Sequence, residues 1–225
     1  MPNKKETIVF LDFCGTCVPF QSAPRYIDYT IAHYPRRIAK WRRKAYRLLE
    51  KFNLAHRIAR WSHGLLNCKE MELRALKGYK EEVLIESAQS FYSELIEPNL
   101  IPEMMAVLKK HQEEGAHIVL VSGGFGIYLK YFAADMHIAP EDIISSNIQI
   151  KRGKATGHLD GLDCMEGNKV KLLESRFDKS QIYSIAYSDS YSDLPLFRWV
   201  DKGVVVAQIP TWNEEHGLDI IYWRK

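Results

Sequence analysis

Four short apolar runs that lack polar–apolar alternation constrain the fold of this chain most strongly. They span residues 7–11, 117–121, 181–187 and 203–207. Such runs are typical of strands that are buried on both faces of a parallel sheet. Helical patterns separate them, at residues 102–114, 126–136 and 168–177. The alternation predicts an α/β fold with a doubly wound, mainly parallel sheet.

One long segment interrupts this alternation. Residues 20–97 have helical patterns throughout, so we predict a helical cap there, inserted into a core formed by residues 1–19 and 98–225. A chain of 225 residues is long enough for both units. Between residues 148 and 164, three glycines separate short polar–apolar runs, which predicts a β-hairpin.

The composition excludes several classes of protein. A hydrophobic content of 46% and a charged content of 26% are ordinary for a globular protein. The net charge of +3 is too small to argue for nucleic acid as a partner. We find neither a signal-peptide pattern nor a run of about 18 apolar residues. We therefore expect a cytoplasmic protein without structural disulfides, and the oligomeric state stays open.

Polar residues follow three of the apolar runs directly. Asp12, Ser122 and Asp189 each stand at or just after the carboxyl end of a predicted strand. Ligands of open α/β sheets bind in the crevice outside these ends. We therefore expect one cleft to collect all three side chains.

Asp12 is the candidate nucleophile. A carboxylate at this position can attack phosphorus and become an acyl phosphate, provided that a cation offsets its repulsion of the substrate. The alternative is an aspartate that only caps a turn, which is common after strands. The other polar segments favour the nucleophile.

Asp189 and Asp193 are the candidate metal ligands. Mg²⁺ prefers oxygen ligands and usually takes only one or two carboxylates, together with phosphate oxygens and water. We expect Asp189 to be the direct ligand and Asp193 to bind through water or to orient the site. Asp189 or Ser188 also suits the N-cap of a helix that starts near Asp193, and both roles are compatible.

Ser122-Gly123-Gly124 and Lys169 are the candidate phosphate-binding residues. A hydroxyl and free backbone N–H groups at a helix N-terminus can hold a phosphate, although such a segment is more often only a turn. The Lys169 ammonium would balance the charge of Asp12, phosphate and Asp189. A lysine is usually solvated and Lys171 is close, but the position of Lys169 after Gly167 favours it.

Taken in order, these segments resemble the haloacid dehalogenase superfamily, in its phosphoserine-phosphatase-like branch with a helical cap. The matching segments are Asp12-Phe-Cys-Gly-Thr16, Ser122-Gly-Gly, Gly167-Asn-Lys169 and Ser188-Asp-Ser-Tyr-Ser-Asp193. The resemblance implies a Mg²⁺-dependent phosphatase with phosphate held by Thr16, Ser122, Gly123 and Lys169. It also implies metal binding by Asp12, the backbone carbonyl of Cys14, Asp189 and Asp193. The implied substrate is a phosphorylated small molecule or a lipid head group.

Two residues depart from the family pattern. Ser188 replaces a glycine, and Cys14 replaces the carboxylate that protonates the leaving group and then activates water. A neutral thiol is a weak donor and a weak base near pH 7. General acid–base help is typically worth roughly 10²–10⁴-fold, so we expect slow turnover or accumulation of the phospho-aspartate. The alternative is a catalytically impaired relative that binds a phosphorylated ligand or a partner.

The cysteines offer a second interpretation. Cys14 and Cys17 form a Cys-x-x-Cys pair, which indicates redox chemistry in a thioredoxin-like context. Here the pair lies in the predicted nucleophile turn, so the phosphatase interpretation is preferred. Cys68 and Cys164 are interpreted as packing residues.

The predicted cap contains a strongly basic helix. Residues 33–61 carry ten Lys and Arg residues against one acid, Glu50. Basic and aromatic residues on an amphipathic helix can contact an anionic membrane at its inner face, or select a lipid-like substrate. The alternative, which we favour, is a solvated basic face with Trp41, Phe52 and Trp61 packed in the cap core.

Overall fold

The chain folds around a sheet of six parallel strands with helices on both faces. The computed structural model describes residues 5–61, 67–209, 212 and 214–224, so the predicted outer bounds of the core at residues 1 and 225 lie outside the described residues. The strands are β1 (Glu6–Leu11), β2 (His117–Phe125), β3 (Ile143–Ser146), β4 (Ile148–Lys151), β5 (Lys154–Leu159), β6 (Ile182–Ser188), β7 (Lys202–Ala207) and β8 (Asp219–Tyr222).

The order of the strands creates a switch point at the centre of the sheet. The spatial order is β3-β2-β1-β6-β7-β8, so the chain runs outward from β1 and then returns to its other side. Leu11, at the end of β1, pairs with Leu120 of β2 and Tyr187 of β6. β1 and β6 therefore end at nearly the same level of the sheet, close to Ser122 of β2, and the predicted doubly wound sheet is confirmed.

Packing on both faces explains why the strand sequences do not alternate. Ile8 and Phe10 of β1 belong to one buried cluster, whereas Val9 and Leu11 belong to another. Since helices cover both faces, every position of such a strand favours an apolar side chain.

The helices of the core agree closely with the sequence patterns. The main helices are α1 (Ser22–His33), α2 (Arg37–Lys51), α3 (Leu54–Trp61), α4 (Cys68–Leu73), α5 (Glu81–Phe91), α6 (Pro102–Glu113), α7 (Gly126–Asp135), α8 (Gly167–Glu174) and α9 (Leu194–Trp199). Strands β3 and β8 were not predicted, because each has only four residues and lies at an edge of the sheet. Within the described part of the chain, every helix is too short or too polar to cross a membrane.

The hairpin of β4 and β5 contacts the helical insertion. Gly78 donates to the carbonyl of Ala155 at 2.8 Å, and Ala155 donates to the carbonyl of Tyr79 at 2.9 Å. Glu81 donates to Gly153 at 3.0 Å. The hairpin thus ties the segment between α4 and α5 to the part of the chain that follows β3.

The face that α2 turns inward differs from the predicted one. The interpretation that Trp41, Phe52 and Trp61 pack in the cap core is wrong, because these side chains are 66%, 60% and 86% exposed. The buried residues of α2 are Ala39, Arg43 and Tyr46.

A buried ion pair explains this reversal. Arg43 donates to Asp28 of α1 at 2.7 and 2.9 Å, and also to Glu72 of α4. Paired charges can be buried at tolerable cost, whereas an unpaired arginine cannot. Arg43 therefore joins three helices of the insertion and does not lie on a solvated basic face.

Candidate active site

The carboxyl edge of the sheet opens into a cavity of about 400 Å³. Asp12 follows β1, Ser122 lies in β2 and Asp189 follows β6, and all three line it. The insertion forms the opposite wall. The other lining residues are Cys14, Gln21, Ala23, Pro24, Tyr46, Glu50, His56, Cys68, Lys69, Glu72, Gly123, Met165, Glu166, Lys169, Ser190, Ser192 and Asp193.

Lys169 connects two carboxylates at the base of this cavity. Its Nζ lies 2.9 Å from Oδ1 of Asp12 and 2.6 Å from Oδ2 of Asp193. All three residues are almost fully buried. Lys169 stands in the first turn of α8, whereas Asp193 ends a short 3₁₀ turn before α9, so three elements converge on one ammonium.

The charges of this network are mutually dependent. Burial opposes the charged form of Lys169, but the carboxylates of Asp12 and Asp193 outweigh it and raise the pKa of the ammonium. Burial also raises the pKa of Asp12, while Lys169 opposes that rise. Because Asp189 lies beside them, three carboxylates share one ammonium, and the ionised site carries a net charge of −2.

Asp189 has the properties of a cation ligand. Its Oδ1 is buried and has no hydrogen-bond partner among the described residues. Burial, and next the negative charge of Asp12, raise the pKa of Asp189 to about 7. A divalent cation would supply the missing partner and offset the surplus negative charge.

The turn after Asp12 is shaped by the approach of Asp189. Gly15 has a φ of +75°, and a Cβ built at this position would lie 2.0 Å from Oδ2 of Asp189. Only glycine combines this backbone conformation with such a close approach. The two acidic segments therefore meet because the turn between Cys14 and Thr16 has no side chain at its tip.

The donor set suits a magnesium ion better than a transition metal. Within the described ranges, no three His, Cys, Asp or Glu side chains lie together as a preformed metal site. Mg²⁺ needs only one or two carboxylates, with water and phosphate oxygens completing its shell. Asp12 and Asp189 satisfy that requirement, whereas Oδ2 of Asp193 already accepts from Lys169 and from Ser188 at 2.6 Å.

Thr16 lies behind the cavity. It is fully buried, is absent from the cavity wall, and its hydroxyl accepts the backbone N–H of Asp189 at 3.0 Å. This placement does not support the predicted direct contact between Thr16 and phosphate. The hydroxyl instead holds the backbone of Asp189 in position.

Ser122 and Gly123 line the cavity as the sequence motif requires. The strand continues to Phe125, with an irregular register after Ser122. The Ser122 hydroxyl accepts the N–H of Gly124 at 3.1 Å. Gly123 allows Met165 to pack closely against β2, because a Cβ at this position would lie 2.7 Å from the Met165 side chain.

Cys14 faces the cavity from the turn after β1. Its Sγ lies 3.0 Å from the hydroxyl of Ser22, which in turn lies 2.7 Å from the hydroxyl of Tyr128. Burial, and next the charge of Asp12, raise the pKa of the Cys14 thiol. The thiol is therefore neutral near pH 7, so it is a poor base.

Of the other cysteines, Cys17 and Cys164 have structural surroundings, whereas Cys68, predicted to be a packing residue, lines the cavity. All four are free thiols, and Cys17 donates to the backbone carbonyl of Asp12 at 3.3 Å. Burial raises the pKa of Cys17 well above its usual value, which makes the thiol unreactive. Cys164 is buried in the core cluster beside the central strands.

Lys69 is a cavity residue that sequence reasoning missed. Its Nζ donates to the carbonyl of Gly123 at 2.7 Å, to the Ser146 hydroxyl at 3.2 Å and to the Asp163 carboxylate. It stands in the first turn of α4, so it links the helical insertion to the edge of the sheet. Nothing in the sequence distinguishes Lys69 from the other lysines of the predicted cap.

Comparison with known proteins identifies the family. The family model of haloacid dehalogenase-like hydrolases matches residues 9–198. A histidinol-phosphatase of Neisseria meningitidis serogroup C (strain 8013) is 26% identical over 165 residues, which is 69% of this chain and 73% of that protein.

Solved structures share the whole fold. A protein of unknown function from Bordetella pertussis Tohama I superimposes with a TM-score of 0.78 at 19% identity, covering 97% of this chain and 99% of that one. A phosphoserine phosphatase, solved as a phospho-aspartyl intermediate analogue, gives a TM-score of 0.63 at 17% identity, with coverages of 97% and 94%. The chain therefore belongs to the haloacid dehalogenase-like hydrolase family and has the fold of its phosphoserine phosphatases, which confirms the family and enzyme class that the motifs predicted.

Proposed function

We propose that this protein is a Mg²⁺-dependent phosphomonoester hydrolase that works through a phosphorylated Asp12. The observation that carries the proposal is the contact of Lys169 with both Asp12 and Asp193 at the base of the cavity, beside the unpartnered carboxylate oxygen of Asp189. This arrangement supplies a nucleophile, a fixed positive charge and a free oxygen ligand within one enclosed space.

In the first half of the reaction, the Asp12 carboxylate attacks phosphorus and the bond to the leaving oxygen breaks. The electron pair of that bond goes to the leaving oxygen, which takes up a proton. In the second half, water attacks the phosphorus of the acyl phosphate, phosphate departs and Asp12 is regenerated. Lys169, the hydroxyl of Ser122 and the backbone around Gly123 hold the phosphoryl oxygens.

Asp12, Asp189 and the backbone carbonyl of Cys14 would hold the magnesium ion, with Asp193 fixing Lys169 beside them. When bound, the ion offsets the negative charge of substrate and carboxylates and polarises the phosphoryl group. Ser188 and Thr16 support this arrangement, because they bond to Asp193 and to the backbone of Asp189 respectively.

Cys14 is the reason that we expect slow turnover. A buried neutral thiol donates a proton poorly and activates water poorly, so both halves of the reaction lose acid–base help. Substrates with good leaving groups are least affected in the first half. The alternative is a protein that binds a phosphorylated ligand without turnover, and sustained phosphate release distinguishes the enzyme from it.

The cavity and the relatives support a phosphorylated substrate. The relatives are named as phosphatases of histidinol phosphate and phosphoserine, which are small phosphorylated molecules. Tyr46, Glu50 and His56 lie on the cap side of the cavity. We assign substrate selection to these residues, for a phosphorylated small molecule or a lipid head group.

The test is phosphate release from p-nitrophenyl phosphate with and without Mg²⁺, using Asp12→Asn as the matched variant. We expect sustained Mg²⁺-dependent release from the natural protein and none from Asp12→Asn. A single burst of p-nitrophenol, with hydroxylamine-labile phosphate on Asp12, would show that the second half fails. Absence of any release from protein that binds Mg²⁺ would contradict the proposal and favour the binding protein.

A further inference from the structure

The outer face of the insertion carries an exposed apolar strip. Along α2 it consists of Ile38, Trp41 and Leu48, with Phe52 directly after the helix, and their spacing places them on one side. In α3 it continues with Leu54, Ile58 and Trp61. The inward faces of both helices are occupied by other residues, so the strip does not contribute to the core. Neighbouring exposed apolar side chains of this size mark an interaction surface.

A row of positive charges runs beside the strip. Lys40, Lys44 and Lys51 repeat at helical spacing on the adjacent side of α2, and Arg57 and Arg60 are exposed on α3. No ion pair joins these five residues to any acid in the described part of the chain. The one acid of these two helices, Glu50, faces the cavity.

We propose that this outer face of α2 and α3 is a docking surface for an anionic lipid bilayer. Amphipathic helices with Trp, Phe and Leu on one face and lysines beside them lie in the interface of a membrane. The apolar side chains enter the boundary between head groups and acyl chains, while the ammonium groups contact the lipid phosphates. The inference concerns a surface outside the cavity and is independent of the chemistry assigned to Asp12.

Charge complementarity favours a bilayer over a second copy of the chain. Two copies that met through this face would bring their rows of positive charge together, which opposes association. An anionic leaflet attracts the same row, and it accommodates the aromatic side chains as well. Tyr46 and His56, on the inward sides of the same helices, line the cavity. Docking would therefore hold the cavity within about one helix diameter, roughly 10 Å, of the head groups.

Vesicle co-sedimentation tests the proposal directly. We expect binding to vesicles of phosphatidylcholine mixed with phosphatidylglycerol, a decrease with salt, and weak binding to phosphatidylcholine alone. Each lysine near an anionic surface strengthens binding about fivefold, so the triple variant Lys40→Gln, Lys44→Gln, Lys51→Gln should lose roughly 100-fold in partition. The double variant Trp41→Ser, Phe52→Ser should also bind weakly, because it removes the part that enters the membrane.

Two control variants distinguish membrane docking from a general effect of losing charge or an aromatic ring. The triple variant Lys109→Gln, Lys110→Gln, Lys130→Gln removes the same charge from α6 and α7 and should bind like the natural protein. Tyr222→Ser removes an exposed aromatic ring from β8 with the same expectation. All variants should retain their thermal unfolding temperature and their p-nitrophenyl phosphate hydrolysis, since none of these residues lines the cavity.

Three results would overturn the proposal. The first is a failure to prefer anionic vesicles, seen either as equal binding to neutral and anionic vesicles or as no binding to either. The second is an equal loss in the two lysine triple variants, which would indicate a non-specific charge effect. The third is a dimer in sedimentation velocity that Trp41→Ser, Phe52→Ser dissociates, which would assign the face to a second copy.

Discussion

The Sγ of Cys14 lies 3.0 Å from the hydroxyl of Ser22, and the backbone N–H of Ser22 donates to the same sulfur at 3.4 Å. Cys14 belongs to the turn after the central strand, whereas Ser22 begins the first helix of the insertion. The thiol therefore occupies a position with two potential donors, which would suit a carboxylate better than a neutral sulfur.

Cys14→Asp should raise the turnover of alkyl phosphates, because a carboxylic acid can protonate the leaving oxygen and its carboxylate can activate water. The expected gain in kcat is roughly 10²–10⁴-fold, with a smaller gain for p-nitrophenyl phosphate. Steady-state phosphate release measures it. Cys14→Asn is the matched control, since it has the same shape without acid–base capacity. A similar gain in both variants would contradict the assigned role.

Mg²⁺ should raise the thermal unfolding temperature of the natural protein, because the ion binds the folded site and offsets three neighbouring carboxylates. Asp189→Asn should abolish this rise and should itself be at least as stable in EDTA, since it removes a buried charge without a partner. Thermal melts with EDTA and with increasing Mg²⁺ give both quantities. Asp178→Asn, on an exposed loop of the core, is the control and should respond to Mg²⁺ like the natural protein. If Mg²⁺ raised the unfolding temperature of Asp189→Asn to the same extent, Asp189 would be excluded as a ligand.

Arg43→Met should destabilise the fold strongly, because it leaves the carboxylates of Asp28 and Glu72 without their buried partner. Breaking such a pair costs about 3–5 kcal/mol of unfolding free energy. Arg47→Met provides the comparison: its side chain is largely exposed and also contacts Asp28, so the loss should stay below about 1 kcal/mol. Urea unfolding measures both. Equal losses would show that the inward position of Arg43 has no energetic consequence.

Lys69→Met should destabilise the protein by about 3 kcal/mol, because the largely buried Asp163 carboxylate loses its cationic partner and keeps only the Ser146 hydroxyl. Adding Asp163→Asn should recover part of this loss, since the second change removes the unpaired charge. Urea unfolding of the two single variants and the double variant yields the coupling energy. Lys77→Met is the control, because Lys77 is an exposed lysine that follows α4. Strictly additive losses would mean that Lys69 does not join the insertion to the sheet through Asp163.

Asp201→Asn should weaken the fold more at neutral pH than in acid. Burial opposes ionisation of Asp201, but hydrogen bonds from Lys179 and Ser184 outweigh it and lower its pKa to about 2 from 3.8. The unfolded chain therefore binds more protons between these values, so the stabilisation is complete above about pH 5 and disappears as pH falls towards 2.

Because Asp201 is partly exposed, the difference at pH 6 should not exceed about 1 kcal/mol. Urea midpoints of the natural protein and of Asp201→Asn, compared at pH 6 and pH 3, measure the change. A difference that stays constant down to pH 3 would assign the effect to lost packing instead of ionisation.

Many features could be predicted from sequence because they depend on local pattern. The non-alternating runs at β1, β2, β6 and β7 predicted buried parallel strands, and parallel strands place their carboxyl ends at one edge. Asp12 and Asp189 could therefore be assigned to one cleft from the sequence alone. The edge strands β3 and β8 could not, since short and partly exposed strands lack this pattern.

The central strands, the family motifs and the set of charged groups could be inferred from the sequence, because strand burial and motif spacing depend on consecutive residues. The contacts that those groups make are visible only in the tertiary structure. It showed that Thr16 holds the backbone of Asp189, that Lys69 reaches Gly123 across the cavity, and that Arg43 is buried while Trp41 is exposed. Each of these depends on a partner distant in the chain, and helical spacing alone cannot tell which face of a helix that partner will cover.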